Sequence, residues 1–91
     1  MKELSKIIVG RGEVKGYVFT QIENNGLGYI YEKKCIETNK ISYEVFKRKE
    51  NKHFDCISYP NSKSFGVWAW DVQNLPYAIE VLATFKEKIT K

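Results

Sequence analysis

The residues that could do catalytic chemistry in this sequence are few, and their spacing separates them. The chain has one histidine, His53, and two cysteines, Cys35 and Cys56. Nucleophilic catalysis needs a general base within hydrogen-bond reach of a nucleophile, but on a regular strand His53 and Cys56 would point to opposite faces. One histidine and two isolated cysteines also fall short of the ligand set of a structural zinc site. We therefore predict no catalytic residue, no metal, no cofactor and no enzymatic activity.

The glycine-rich segment 10–16 does not match a phosphate-binding loop. It contains Gly10, Gly12 and Gly16 but lacks the Gly-Lys-Ser/Thr ending of such loops. It also precedes a predicted strand, whereas a phosphate-binding loop precedes a helix. The segment is therefore expected to be a flexible entry to the sheet.

The side chains that could do binding chemistry are aromatic and basic. The 91 residues include two Trp, six Tyr and five Phe, and the formal net charge is +4. Aromatic rings exposed on a sheet can stack on unpaired bases while lysines follow the phosphates, and Tyr and Trp also dominate protein–protein hot spots. Only Arg11 and Arg48 are arginines, which disfavours base-specific recognition.

The positive charge is unevenly distributed along the chain. Segment 32–52 holds seven basic and four acidic residues and segment 1–16 holds four basic and two acidic ones, whereas segment 53–91 holds four of each. The densest basic run is Lys47-Arg48-Lys49. Such a run is typical of a phosphate-binding surface, and equally of a solvated edge strand that resists aggregation.

Turn signals at regular intervals divide the chain into strands. The strongest is Asn24-Asn25-Gly26, because Asn-Gly tolerates the positive φ of a tight hairpin. Segment 2–9 fits either a helical turn or an added strand. The connections are short, which favours an antiparallel β-meander. The five predicted strands are Glu13–Ile22, Leu27–Ile36, Ile41–Lys49, His53–Tyr59 and Phe65–Val72.

The C-terminal part changes from strand to helix periodicity. From Leu75 onward, apolar residues recur every three or four positions, which predicts an amphipathic helix ending near Thr90. Asn74 is the expected N-cap, with Asp71 as the alternative, and Pro76 suits the first turn. The predicted fold is therefore a single α+β domain over residues 1–91, with a five-stranded antiparallel sheet and one C-terminal helix packed on one face.

One helix covers only two or three strands of such a sheet, so the opposite face is predicted to stay open. By strand alternation, this open face carries aromatic and basic side chains. The predicted binding residues are Lys15, Tyr17, Phe19, Tyr29, Tyr31, Lys33, Tyr43, Lys47, Arg48, Lys49, Trp68 and Trp70.

The sequence allows two placements of the two tryptophans. Trp68 and Trp70 are two residues apart in a predicted strand, so both should point to the same side of the sheet. Either they lie on the open face beside the tyrosines, or they form the core beneath the helix.

The favoured function is that of a small binding module for single-stranded DNA or RNA without sequence preference. The alternative is a protein-interaction module, such as a phage or mobile-element inhibitor of a host complex, or a homodimer formed through the open face or a free strand edge. No apolar stretch reaches the length of a secretory core or a membrane span. A cytoplasmic location and no membrane partner are therefore expected.

Overall fold

The computed structural model describes residues 1–85 and contains two small sheets and one α-helix. The helix and strand bounds are β1 Ile7–Val9, β2 Tyr17–Asn24, β3 Gly28–Cys35, β4 Ile41–Lys47, β5 Glu50–Asn51, β6 Cys56–Ile57, β7 Ala69–Val72 and α1 Leu75–Ala83. The main sheet is antiparallel with strand order β1–β2–β3–β4–β7, and β5 pairs only with β6. The predicted α+β fold, a five-stranded antiparallel sheet with a C-terminal helix on one face, is confirmed.

The main sheet contains one strand that differs from the prediction. The strand predicted at His53–Tyr59 is reduced to Cys56–Ile57, which belongs to the separate hairpin. Asp55 adopts a φ of 51°, which breaks the extended conformation just before β6. The fifth strand of the main sheet is instead β1, so the added-strand interpretation of segment 2–9 is the correct one.

The helix begins where its capping signal lies. The Asn74 side chain accepts a hydrogen bond from the Tyr77 N–H at 2.8 Å, as expected of an N-cap. The inward face of the helix buries Ala78 and Leu82 against Ile30 and Val45 of the sheet. The predicted helix beyond residue 85 lies outside the described residues.

The opposite face of the sheet is a second core, so the prediction that it stays open is wrong. Phe19, Tyr29, Tyr31 and Phe46 are at most 3% exposed. Segments 1–6 and 50–65 fold over this face, and side chains from both segments pack against the rings. We call this set of four buried rings, with Tyr59 beside them, the aromatic cluster.

Hydrogen bonds fasten the N-terminal segment to the aromatic cluster. The Tyr31 hydroxyl donates to the Ser5 carbonyl oxygen at 2.6 Å, and the Tyr29 hydroxyl donates to Glu3 Oε1 at 2.9 Å. Arg48 Nη1 donates to the Tyr29 hydroxyl at 2.7 Å and lies 2.6 Å from Glu3 Oε2. Buried hydroxyls need such partners, and here the partners also close the face.

The two tryptophans lie on opposite sides of the sheet, so the same-side prediction is wrong. Trp68 packs edge-on against Phe46 in the aromatic cluster, with ring centroids 6.2 Å apart, whereas Trp70 lies 5.6 Å from the Phe85 ring on the helix side. The chain turns just before β7, with Gly66 at a φ of 87°. Strand alternation therefore begins only at Ala69, after Trp68.

Candidate binding cleft and strand edge

The aromatic side chains predicted to stack on bases are mostly interior. Phe19 is 3% exposed and Tyr29 and Tyr31 are 0% exposed, so none of the three can present a ring face to a base. Tyr43 is half-buried on the helix side, and Tyr17 is half-buried beside the aromatic cluster. The predicted set therefore does not form one exposed surface.

The three basic residues Lys47, Arg48 and Lys49, at and just after the end of β4, lie in different surroundings. Lys47 Nζ lies 5.8 Å from the Phe85 ring on the helix side, whereas Lys49 Nζ lies 5.1 Å from the Trp68 ring on the other. Arg48, between them, is engaged with Glu3 and Tyr29. Lys15 is exposed just before β2. The run is therefore not a continuous phosphate-binding patch.

Phe19, Lys33 and Trp70 are the predicted residues that line a concave site. A cleft of about 1200 Å³ lies on the aromatic side of the sheet, between segment 5–14 on one wall and segment 59–66 on the other. Its volume lies above the range of about 300–1,000 Å³ that is typical of small-molecule pockets. Its floor carries side chains from four neighbouring strands, namely Phe19, Lys33, Glu44 and Asp71.

The cleft floor holds a small charged network. Lys33 Nζ lies 3.8 Å from Glu44 Oε2 and 4.0 Å from Asp71 Oδ2, and 4.7 Å from the centre of the Tyr17 ring. The Tyr59 hydroxyl donates to Glu44 Oε1 at 2.6 Å. A single lysine is thus shared between two carboxylates, and both lie beyond direct hydrogen-bond distance from it.

Burial dominates the electrostatics of Glu44. The residue is 5% exposed, and this desolvation raises the pKa of its carboxyl above the ordinary value of 4.5, although the Tyr59 hydrogen bond and the Lys33 charge oppose the shift. Burial also raises the pKa of the Tyr59 phenol strongly, and the adjacent Glu44 charge adds to that effect. Tyr59 is therefore a fixed hydrogen-bond donor to Glu44 at physiological pH.

The cleft is acidic although the chain as a whole is basic. Two basic side chains line it, Arg11 and Lys33, against three acidic ones, Glu13, Glu44 and Asp71. An excess of carboxylates repels a phosphate backbone and attracts cationic groups.

Glu44→Gln is expected to stabilise the protein at pH 7, because burial disfavours the charged carboxylate and outweighs the opposing effects of the Tyr59 hydrogen bond and the Lys33 charge. A carboxyl whose pKa is raised by folding holds its proton more tightly in the folded state than in the unfolded state. The stability of the wild type therefore falls as pH rises above 4.5. Urea denaturation at several pH values above 4.5 should show that the difference in stability between Glu44→Gln and the wild type grows as pH rises.

Asp71→Asn is the matched control for this measurement. The Asp71 side chain is 41% exposed, so its replacement should change stability by less than about 0.5 kcal/mol. A Glu44→Gln protein that is less stable than the wild type at pH 7 would contradict the account of Glu44 as a desolvated charge.

A second feature of the cleft is the outer edge of β1. The Gly10 N–H donates to the Tyr17 carbonyl oxygen at 2.8 Å and the Gln21 N–H donates to the Lys6 carbonyl oxygen at 2.7 Å. Because ladder contacts alternate along an antiparallel strand, Ile8 is the β1 residue whose backbone bonds to β2. The N–H and C=O groups of Ile7 and Val9 point away from the sheet, and no strand of residues 1–85 pairs with them.

The side chains of this edge are exposed as well. Ile7 is 64% exposed and Val9 is 63% exposed. They point to the helix side of the sheet, in register with Thr20 and Val18 of β2. Within residues 1–85 the helix packs chiefly against β3, β4 and β7. Beside the helix, Ile22 of β2 is 41% exposed.

The residues that distinguish this site were mostly missed by the sequence predictions, namely Ile7, Val9, Glu44, Tyr59 and Asp71. One signal for Glu44 is present in the sequence, since it alternates with Phe46 and therefore shares its core face. Nothing local identifies Tyr59, because its role depends on where segment 50–65 folds.

No protein family, curated protein or solved structure matches this chain. Within residues 1–85, no helix is both long enough and apolar enough to span a membrane. The same residues contain no group of three or more His, Cys, Asp or Glu placed to hold a metal ion. The functional assignment therefore depends on the cleft and on the β1 edge.

Proposed function

We propose that this chain is a protein-interaction module that binds an extended segment of a partner protein along the outer edge of β1. The observation that carries the proposal is the pair of outward-facing backbone positions, Ile7 and Val9, on an exposed edge strand. Unpaired N–H and C=O groups on such an edge are a template for an added strand.

The surroundings of the edge support this type of ligand. Within residues 1–85 no strand pairs with the outer side of β1, so this edge is accessible to an added strand. The strand has only three residues, which limits indiscriminate pairing with other edges. A short edge flanked by a cleft therefore favours a specific partner over open-ended aggregation.

Single-stranded nucleic acid is a less suitable ligand for this surface. Base stacking requires exposed rings, but Phe19, Tyr29 and Tyr31 are buried. The cleft is lined by more acidic than basic groups, which disfavours phosphates. Of the two functions that the sequence suggests, the protein-interaction alternative is therefore the one we propose.

Val9→Pro is expected to weaken peptide binding at least tenfold. Proline removes the outward N–H of Val9 but leaves the Ile8 ladder to β2 intact, and edge strands tolerate proline at such positions. Peptides would be selected on the wild-type protein from a phage-displayed library of random nine-residue sequences. Their affinities for both proteins would then be measured by fluorescence anisotropy.

Val9→Thr is the matched control, because it keeps the β-branched shape and the backbone N–H and should retain binding. Amide hydrogen exchange gives a second measurement, in which the Ile7 and Val9 amides should become protected when peptide is added. Failure to select any peptide, or equal affinity for Val9→Pro and the wild type, would refute the proposal. Salt-sensitive binding of oligo-dT in place of peptide would instead support the nucleic-acid alternative.

A further inference from the structure

We propose that the floor of the cleft is a second binding site, which takes a neutral carbohydrate through two adjacent hydroxyl groups. One hydroxyl would bridge Lys33 on β3 to Glu44 on β4, and the other would bridge Lys33 to Asp71 on β7. This site goes beyond the proposed function, because it does not involve the outer edge of β1.

The polar atoms on the cleft floor keep unused hydrogen-bonding capacity. The Lys33 side chain is only 20% exposed, and the carboxylate oxygens of Glu44 and Asp71 lie 3.8 and 4.0 Å from its three N–H donors' nitrogen, beyond hydrogen-bond distance. Glu44 is 5% exposed, and the Tyr59 hydroxyl donates to its Oε1, not to its Oε2. Every fully buried side-chain polar atom of residues 1–85 has a hydrogen-bond partner, so Lys33 Nζ and Glu44 Oε2 are accessible from the cleft.

The charges on the floor favour a neutral ligand group. Lys33 already supplies a cation to the two carboxylates, so a second cation placed between them would lie within about 4 Å of its ammonium group. An anion at the same place would lie equally close to Glu44, whose burial leaves its charge weakly screened by solvent. A neutral group that both donates and accepts hydrogen bonds meets neither repulsion.

Each of the two gaps has the size of one hydroxyl oxygen. Hydrogen bonds of about 2.8 Å on either side of such an oxygen fit between groups that are 3.8 or 4.0 Å apart. A hydroxyl can accept from Lys33 Nζ and donate to a carboxylate through the same atom. Because both gaps share Lys33 Nζ, the two hydroxyls must be neighbours in the ligand. Adjacent hydroxyls of a sugar ring meet this requirement, whereas a single amide group would fill only one gap.

The wall formed by segment 59–66 suits the non-polar face of a sugar. Tyr59 and Phe65 line the cleft and are half-buried, so part of each side chain remains accessible. Contact with the C–H groups of a sugar ring would remove this apolar area from water. The cleft, at about 1200 Å³, is larger than a typical small-molecule pocket. We therefore expect an oligosaccharide and not a single sugar.

NMR titration of the isotope-labelled wild-type protein with maltotriose, cellotriose and mannotriose tests the proposal. At least one sugar should shift the backbone amide signals of Lys33, Glu44 and Asp71 and leave those of Ile7 and Val9 in place. The permethylated form of that sugar keeps the rings but lacks O–H donors, so it should bind at least tenfold more weakly. The amide of N-acetyl-asparagine, a neutral compound without a diol, should cause no shifts.

Asp71→Ala should weaken sugar binding at least tenfold, because it removes one of the two bridged carboxylates. Glu13→Ala is the matched control, since Glu13 is an exposed carboxylate of the same cleft that forms no ion pair with Lys33 within residues 1–85. This control should change the affinity less than twofold.

Several results would overturn the inference. Equal weakening by Asp71→Ala and Glu13→Ala, or binding that is lost when salt is added, would mean that the net charge of the cleft holds the ligand. Absence of shifts with all three sugars, or binding of the amide in their place, would exclude the bridged diol. Val9→Pro should leave sugar binding unchanged, so failure of strand addition at β1 and failure of this site are separate outcomes.

Discussion

Phe46→Ala is expected to lower the free energy of unfolding by about 3–5 kcal/mol, the usual cost of truncating a buried phenylalanine. Phe46 is 0% exposed at the centre of the aromatic cluster. Its ring centroid lies 5.3 Å from that of Tyr29, 5.6 Å from that of Tyr31 and 4.9 Å from that of Tyr59. Truncation leaves a cavity that these rings can fill only partly, because hydrogen bonds hold the hydroxyls of all three tyrosines.

Urea denaturation followed by tryptophan fluorescence measures this loss. Small domains have total stabilities of about 5–15 kcal/mol, so this loss removes a large part of the stability of the domain. Phe54→Ala is the matched control, because Phe54 is 72% exposed and its loss should cost less than about 0.5 kcal/mol. If both variants unfolded at the same urea concentration, the cluster would not be the core of the domain.

The regular elements were predictable because their signals are local. Asn74 followed by an apolar repeat of three to four residues predicts a helix start, and the helix begins at Leu75. Strand alternation correctly placed Tyr17, Phe19, Tyr29 and Tyr31 on one face of the sheet. These inferences need only neighbouring residues and the geometry of one strand or helix.

What covers that face could not be predicted from the same rules. The Tyr29 hydroxyl binds Glu3, 26 residues away in sequence, and Ile57 reaches the aromatic cluster from the small hairpin. Neither segment carries a strong periodic pattern, so nothing in its own sequence shows that it folds over the sheet. The aromatic and lysine content therefore predicted an open binding face where the structure has a second core.

The candidate site shows the same division between local and long-range information. Lys33 and Tyr17 were predicted on one face, and they lie together, with the ammonium 4.7 Å from the ring centre. Glu44 was not predicted, because a carboxylate within a strand usually faces solvent. Its hydrogen-bond donor, Tyr59, comes from segment 50–65. The exposed edge of β1 follows from the sequence only if segment 2–9 is interpreted as an added strand and not as a helical turn.

Gly28→Ala is expected to lower the free energy of unfolding by about 3 kcal/mol, at the upper end of the usual cost of overpacking. A Cβ at this position would lie 2.6 Å from the Phe46 carbonyl oxygen and 2.5 Å from Phe85 Cδ2. The Phe85 ring could shift, but the carbonyl belongs to β4, which pairs with β3 at this point. The added methyl group would therefore push β4 and the Phe85 ring away from β3. The midpoint of thermal unfolding measures this effect.

Gly26 provides the comparison that separates crowding from backbone conformation. Gly26 has a φ of 82°, and a Cβ added there would meet no atom within 4 Å, so glycine is required at this position only for its conformation. Asparagine tolerates positive φ, so Gly26→Asn should cost less than about 1 kcal/mol, whereas Gly28→Asn should be at least as damaging as Gly28→Ala. Adding Phe85→Leu to Gly28→Ala should restore only part of the loss, because the Phe46 carbonyl remains in place. Full recovery in that double variant would mean that the helix end, and not the β3–β4 pairing, requires glycine at position 28.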